Sequence, residues 1–114
     1  MHELSVARGL LAAIERNLKP GDARVVRVSV SVGSAAGIAL DSLRLAFRVI
    51  AEGTRIDGAE LSITALPARS RCTGCGILFE FGGMIGHCPS CGRLGGELLS
   101  GDELILRTFE VADV

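Results

Sequence analysis

From Leu4 to Leu18 the apolar residues Leu4, Ala7, Leu11, Ile14 and Leu18 recur at steps of three and four, which lines them up on one face of a helix. Pro20-Gly21 ends that helix. The period then drops to two within 24–32. Val26, Val28, Val30 and Val32 face one way and Arg27, Ser29 and Ser31 the other, the signature of a strand with one buried face. Small residues fill Gly33 to Gly37, after which Leu40, Leu43, Phe47 and Ile50 resume the helical spacing up to a natural stop at Gly53. Ala59, Leu61, Ile63 and Ala65 alternate with Glu60, Ser62 and Thr64 in a second strand that Pro67 closes.

Periodicity disappears between Arg69 and Gly101, a stretch that holds nine of the fifteen glycines and all four cysteines. A last strand is expected over 103–111. Leu104 and Leu106 share one parity there, while Phe109 and Val111 share the other, so a bulge near Arg107-Thr108 is expected to reset the facing. Helix, strand, helix, strand and a final strand make a two-layer α/β (α+β) unit, two helices on a three-stranded sheet. The glycine-rich stretch is then an insertion. Residues 1–66 with 101–114 form one domain, and 67–100 form an inserted one.

The insertion carries the strongest chemistry in the chain. Cys72-Thr-Gly-Cys75 and Cys88-Pro-Ser-Cys91 are two C-x2-C pairs separated by twelve residues, each followed by a glycine, Gly76 and Gly92. A two-residue spacer lets one tight turn present two sulfurs to one ion, and four thiolates fill the tetrahedral sphere of zinc(II) at about 2.3 Å. The expected site is therefore closed and structural, a zinc-ribbon lobe with no position open to substrate. A rubredoxin-like iron site or a reversible dithiol switch is the alternative chemistry. Some thirty residues with few large apolar side chains do not offset their chain entropy, whereas structural zinc contributes on the order of 10 kcal/mol or more. His87, beside Cys88, reads as a knuckle residue or outer donor rather than a fifth ligand.

Composition narrows the function. The chain has 114 residues, 48% of them hydrophobic and 22% charged, the size and balance of one compact folded protein. A net charge of -1, four Phe and no Trp or Tyr offer neither a basic face nor a stacking platform for nucleic acid. A zinc-ribbon module binding nucleic acid or protein is the alternative reading of a different class. No apolar run reaches the roughly 18 residues of a membrane span and no basic stretch precedes an apolar leader, so the expected location is cytoplasmic. In that reducing compartment clustered cysteines are metal ligands or redox thiols before they are disulfides. No nucleophile motif, phosphate loop or open-site zinc signature indicates an enzyme. Asp41 and Glu52, the one imaginable acid pair, read as helix-start and helix-surface residues.

The opening Met1-His2-Glu3 is a weak motif with definite chemistry. A terminal amine, one or two deprotonated backbone amides and the His2 imidazole can chelate a divalent metal in a square plane, the geometry that nickel(II) and copper(II) prefer.

These parts together resemble the HypA/HybF family of hydrogenase nickel-incorporation proteins over essentially the whole chain. The resemblance lies in Met1-His2-Glu3-Leu4-Ser5, in Val28 to Gly33 followed by Gly37, and in Leu43 with Ala46-Phe47. It continues in Glu52-Gly53-Thr54, in Gly58-Ala59-Glu60-Leu61, in both cysteine pairs and in Ser100-Gly101-Asp102-Glu103-Leu104. It implies a nickel metallochaperone with nickel cargo at His2. The Met1 amine and nearby backbone amides, with Glu3 adjacent, complete that site, and structural zinc sits on Cys72, Cys75, Cys88 and Cys91. It also implies a hydrogenase-maturation GTPase and the hydrogenase large subunit as partners, with a urease accessory protein for some members. Two departures stand out. Ser34-Ala35-Ala36 replaces the more polar, leucine-containing turn common in the family, and His87 is the single histidine flanking the cysteine pairs.

Overall fold

The computed structural model describes residues 3–112. Met1 and His2, on which the expected nickel site falls, lie outside the described residues. Helix α1 spans Glu3–Asn17 and helix α2 spans Leu40–Ala51. Strands β1 (Val25–Gly33), β2 (Glu60–Leu66) and β6 (Leu104–Val111) form a three-stranded sheet in the order β2-β1-β6. A second sheet, in the order β4-β3-β5, comes from the cysteine-bearing stretch: β3 Ala68–Arg71, β4 Leu78–Phe81 and β5 Glu97–Ser100. This is the mixed fold the hydrophobic pattern predicts, with strands in the insertion that no periodicity announced.

Packing divides the chain into two compact units. One holds the chain up to Val30, Ile38–Ile63 and the chain from Leu106; the other holds Ser31–Gly37 and Thr64–Ile105. Residues 31–37, read from sequence as part of the first domain, pack with the cysteine-bearing unit.

In the first unit α1 and α2 pack on each other, and Ala7, Leu10 and Ile14 of α1 and Leu43, Phe47 and Ala51 of α2 are buried. The stripe on α1 is rotated from the expected one. Leu10 is buried and Leu4 is 42% exposed, so the inward line runs through 7, 10 and 14. On β1 the alternation begins only at Val28: Val25 is 1% exposed and Val26 46%. The cause is local. The Val25 N–H donates to the Arg55 carbonyl at 2.8 Å and Arg24 Nη2 donates to the Asp57 carbonyl at 2.6 Å, so the start of the strand follows the 52–58 turn. Gly53, with φ 76°, lies in the left-handed region favoured just past a helix end. On β6, Arg107 and Thr108 are exposed in succession and Phe109 and Val111 are partly buried, so the facing changes parity where the sequence pattern does.

In the second unit β3 pairs antiparallel with β4 in an unbroken register from Ala68↔Phe81 to Arg71↔Leu78. Its pairing with β5 shifts between Arg69 and Ser70. Two backbone approaches hold the base of this unit. A side chain on Gly33 would collide with the Gly101 carbonyl, and one on Gly101, whose φ is 104°, would collide with Ala68. The chain closes there through Gly33 N–H to the Glu103 carbonyl and Ala35 N–H to the Gly101 carbonyl, both 2.8 Å.

Candidate metal centre

Two knuckles of the same construction present the four sulfurs. In the first, Cys72 N–H donates to the Ile77 carbonyl and Gly76 N–H to the Cys72 carbonyl, both at 2.9 Å. In the second, Cys88 N–H donates to the Arg93 carbonyl and Gly92 N–H to the Cys88 carbonyl, again at 2.9 Å. Each turn is completed by a glycine in the left-handed region, Gly76 with φ 80° and Gly92 with φ 76°, where a Cβ would be strained. This is why glycine follows the second cysteine of both pairs. Chain direction in the turn then aims backbone amides at sulfur. Gly74 and Cys75 N–H groups reach Cys72 Sγ at 3.4 and 3.5 Å, and Cys91 N–H reaches Cys88 Sγ at 3.5 Å.

The sulfurs converge. All four lie within 4.8 Å of one another, with Cys72 Sγ and Cys91 Sγ 3.5 Å apart and Cys75 Sγ and Cys88 Sγ also 3.5 Å apart. A disulfide needs about 2.05 Å, so these are four separate thiols. Four sulfurs placed tetrahedrally about 2.3 Å from a zinc ion stand about 3.8 Å from each other, close to the observed spacing. The donor set therefore fits a closed four-thiolate site.

Electrostatics in the bare cluster splits the thiols into two kinds. The N–H groups of Cys75 and Gly74 stabilise the Cys72 thiolate and bring its pKa down to about 6. Cys88 is lowered in the same way, first by the Cys91 N–H. At Cys75 the Ile77 N–H favours the thiolate, but the neighbouring Cys88 sulfur and burial outweigh it and raise the pKa to about 11. Cys91 is also raised: its Arg93 N–H is outweighed by Cys72 and burial. Four adjacent sulfurs cannot all carry charge without a cation among them.

The support beneath the cluster is small and aromatic. Cys72 and Cys88 are buried with Phe79, and Phe81 packs against them, the two rings 5.8 Å apart at their centroids. Gly86 is buried against Phe81, where any Cβ would meet the ring. Ser34 Oγ accepts the Ala68 N–H at 3.1 Å and donates to the Phe81 carbonyl at 3.3 Å, tying the 34–36 turn to the first two ribbon strands. Sequence reading missed this role of Ser34, because one serine among small residues gives no sign of a partner 47 positions away.

The other candidate residues fall into place individually. His87 is exposed, its backbone bridges to Leu94, and it is not among the four residues whose donor atoms converge. Glu3 opens α1, and its Oε2 accepts the Ala39 N–H at 3.2 Å. Asp41 lies in the first turn of α2 and Glu52 just beyond its last residue. Eleven residues at 1.5 Å each separate them by about 16 Å along the axis, too far for concerted acid–base work. No helix among the described residues is long and apolar enough to cross a membrane.

Comparisons with known proteins agree in direction. A family model described as hydrogenase/urease nickel incorporation, metallochaperone, matches residues 1–111. A hydrogenase maturation factor from Desulfitobacterium hafniense is 38% identical over 114 residues, covering 99% of this chain and 100% of that one. Its counterpart from Geobacter metallireducens is 33% identical over 111 residues, covering 97% and 99%. Among solved structures, the nickel metallochaperone of Helicobacter pylori, determined in solution, superposes with a TM-score of 0.65 at 26% identity, covering 97% of each chain.

Proposed function

Because the chain belongs to the HypA family of hydrogenase and urease nickel-incorporation metallochaperones, we propose that it binds nickel(II) through His2 and delivers it during hydrogenase maturation. It is a metallochaperone for that process and not an enzyme. The observation that carries the nickel reading is the family match, which begins at Met1 and so includes the Met1-His2-Glu3 segment. The Met1 amine, the His2 imidazole and backbone amides up to that of Glu3 supply four nitrogen donors in a square plane, which selects nickel(II) over zinc by geometry. Helix α1 opens at Glu3, and the first four N–H groups of a helix have no partner within it. Deprotonating the Glu3 amide onto the metal therefore costs the helix no hydrogen bond. A chain terminus holds the cargo yet can be drawn off it by a partner, and protonation of the amides and imidazole weakens binding as pH falls.

Cys72, Cys75, Cys88 and Cys91 hold a structural zinc ion in this reading, and the convergence of their sulfurs supports it. Bound zinc joins the two knuckles and takes no part in delivery chemistry. In this reading the unit that holds the chain up to Val30, Ile38–Ile63 and the chain from Leu106 handles nickel, and the unit of Ser31–Gly37 and Thr64–Ile105 bears the zinc. A role in hydrogenase maturation implies contact with the maturation machinery. We assign a GTPase of that machinery and the hydrogenase large subunit as the partners, with a urease accessory protein where urease is served. Metal analysis and nickel titration of protein with a native Met1 amine test the assignment: one zinc that resists mild chelation, and nickel uptake that depends on His2.

A further inference from the structure

Arg93 belongs to the second knuckle by its backbone and to the first by its side chain. Its carbonyl accepts the Cys88 N–H at 2.9 Å, closing the 88–93 turn. The side chain then crosses to the other loop. A Cβ on Gly74 would stand 3.2 Å from both Arg93 Cδ and Arg93 Nη1 and 3.7 Å from Cys72 Sγ, so the guanidinium and that sulfur flank the same glycine. Gly74 is not among the glycines with positive φ, and what occupies the space above it is the arginine. The charge has no carboxylate to answer it. Arg69, on β3, pairs with Glu80 at 3.8 Å, whereas no carboxylate among the described residues lies within ion-pair distance of Arg93.

We propose that Arg93 is the counter-cation of the metal-loaded cysteine cluster, a positioning residue that slows loss of the ion through its charge. The inference rests on the reading of Cys72, Cys75, Cys88 and Cys91 as zinc ligands. Zinc(II) on four thiolates leaves two negative charges unbalanced, and a cation beside them stabilises that assembly more than it stabilises the metal-free thiols. A guanidinium suits the place, being always charged and more weakly hydrated than an ammonium. Its exposure sets the scale of the effect. Water screens part of the attraction, so Arg93 tunes how long the ion stays and does not decide whether it binds. Arg71, the residue before Cys72, is exposed at the end of β3 and is the neighbouring charge against which position can be told from net charge.

The experiment loads the full chain with zinc and follows its release to a metallochromic chelator, in the range where the rate does not depend on chelator concentration. Each protein is measured at low salt and at about 1 M, where screening acts within about 3 Å. Arg93→Met keeps an unbranched side chain and removes the charge, and at low salt it releases zinc about two- to fivefold faster, the range of an exposed charge contact. High salt closes that gap. Arg93→Lys keeps the charge and stays near the unaltered protein, whereas Arg93→Glu reverses it and releases zinc faster than Arg93→Met does. Arg71→Met removes one positive charge from the same lobe and changes release less than Arg93→Met. Equal release from the unaltered, Met and Glu proteins overturns the proposal. A Met effect that persists undiminished at high salt makes the contribution one of packing and overturns it too, as does an equal acceleration in Arg71→Met. Failure of the chain to take up zinc refutes the cysteine site and this proposal together, whereas zinc held equally firmly by every Arg93 variant refutes the counter-cation alone.

Discussion

Cys72 and Cys91 are 19 residues apart in the chain, yet their Sγ atoms lie 3.5 Å from each other. The contact crosses from one knuckle to the other, and Cys75 and Cys88 repeat it. Among the described residues, the buried cluster around the sulfurs is Cys72, Phe79 and Cys88 with Phe81 alongside. In the proposed reading the lobe depends on the metal its sulfurs hold.

Removing the metal is expected to unravel this lobe. Stripping zinc with a chelator, or replacing Cys91 by Ser, should abolish amide-exchange protection in β3, β4 and β5 while α1 and α2 stay protected. Zinc affinity of the Cys91→Ser variant should fall by roughly 100-fold or more, since a ligand is lost rather than an outer partner. Exchange measured by mass spectrometry on matched samples checks this, and intact ribbon protection after stripping contradicts it.

Zinc uptake should release protons in a count set by the split among the thiols. Cys72, lowered to about 6, is already a thiolate at pH 7.5, and Cys88 is lowered too, whereas Cys75, raised to about 11, and Cys91 still carry protons. Binding at pH 7.5 should then release fewer than four protons per ion, and affinity should rise with pH across the neutral range. Below the Cys72 value near 6 its proton competes as well, and affinity should fall more steeply. Indicator-dye titrations at several pH values measure the count. Four protons released at pH 7.5 would show that the sulfurs do not share charge as described.

Gly101→Ala should be among the most damaging small substitutions. The new methyl meets Ala68 backbone and side chain, at a φ of 104° that alanine avoids. Neither neighbour is a flexible side-chain end, so the loss should be about 2 kcal/mol or more, read as a fall in the denaturation midpoint of zinc-loaded protein. Gly21→Ala, where an added Cβ meets nothing within 4 Å, is the matched control and should shift the midpoint little.

Phe47→Ala tests the other unit. Phe47 is 2% exposed and is among the largest fully enclosed side chains, so truncation should cost about 3–5 kcal/mol through lost burial and the cavity left behind. Zinc content should be unchanged.

Periodic stretches were legible because burial imposes a period on them. Leu43 and Phe47 occupy the buried face that their spacing indicates, and Gly76 and Gly92 take the left-handed turns that follow each cysteine pair. What escaped reading depends on partners distant in sequence. Val26 looks like the first inward valine, but the strand takes its starting orientation from Arg55 and Asp57. The ribbon strands are four residues each, too short for a period to register, and are set by pairing with one another. Glu3 was legible only as a neighbour of His2, because its acceptor role is fixed by Ala39, far along the chain.

The most direct measurement of the account is nickel titration, by calorimetry and visible absorption, of untagged zinc-loaded protein with a free Met1 amine beside its His2→Ala variant. One nickel per chain with nitrogen-ligated square-planar absorption in the first, no such binding in the second, and equal zinc content in both are the predicted results. Nickel bound equally well without His2, or displacing zinc from the cysteines, contradicts it.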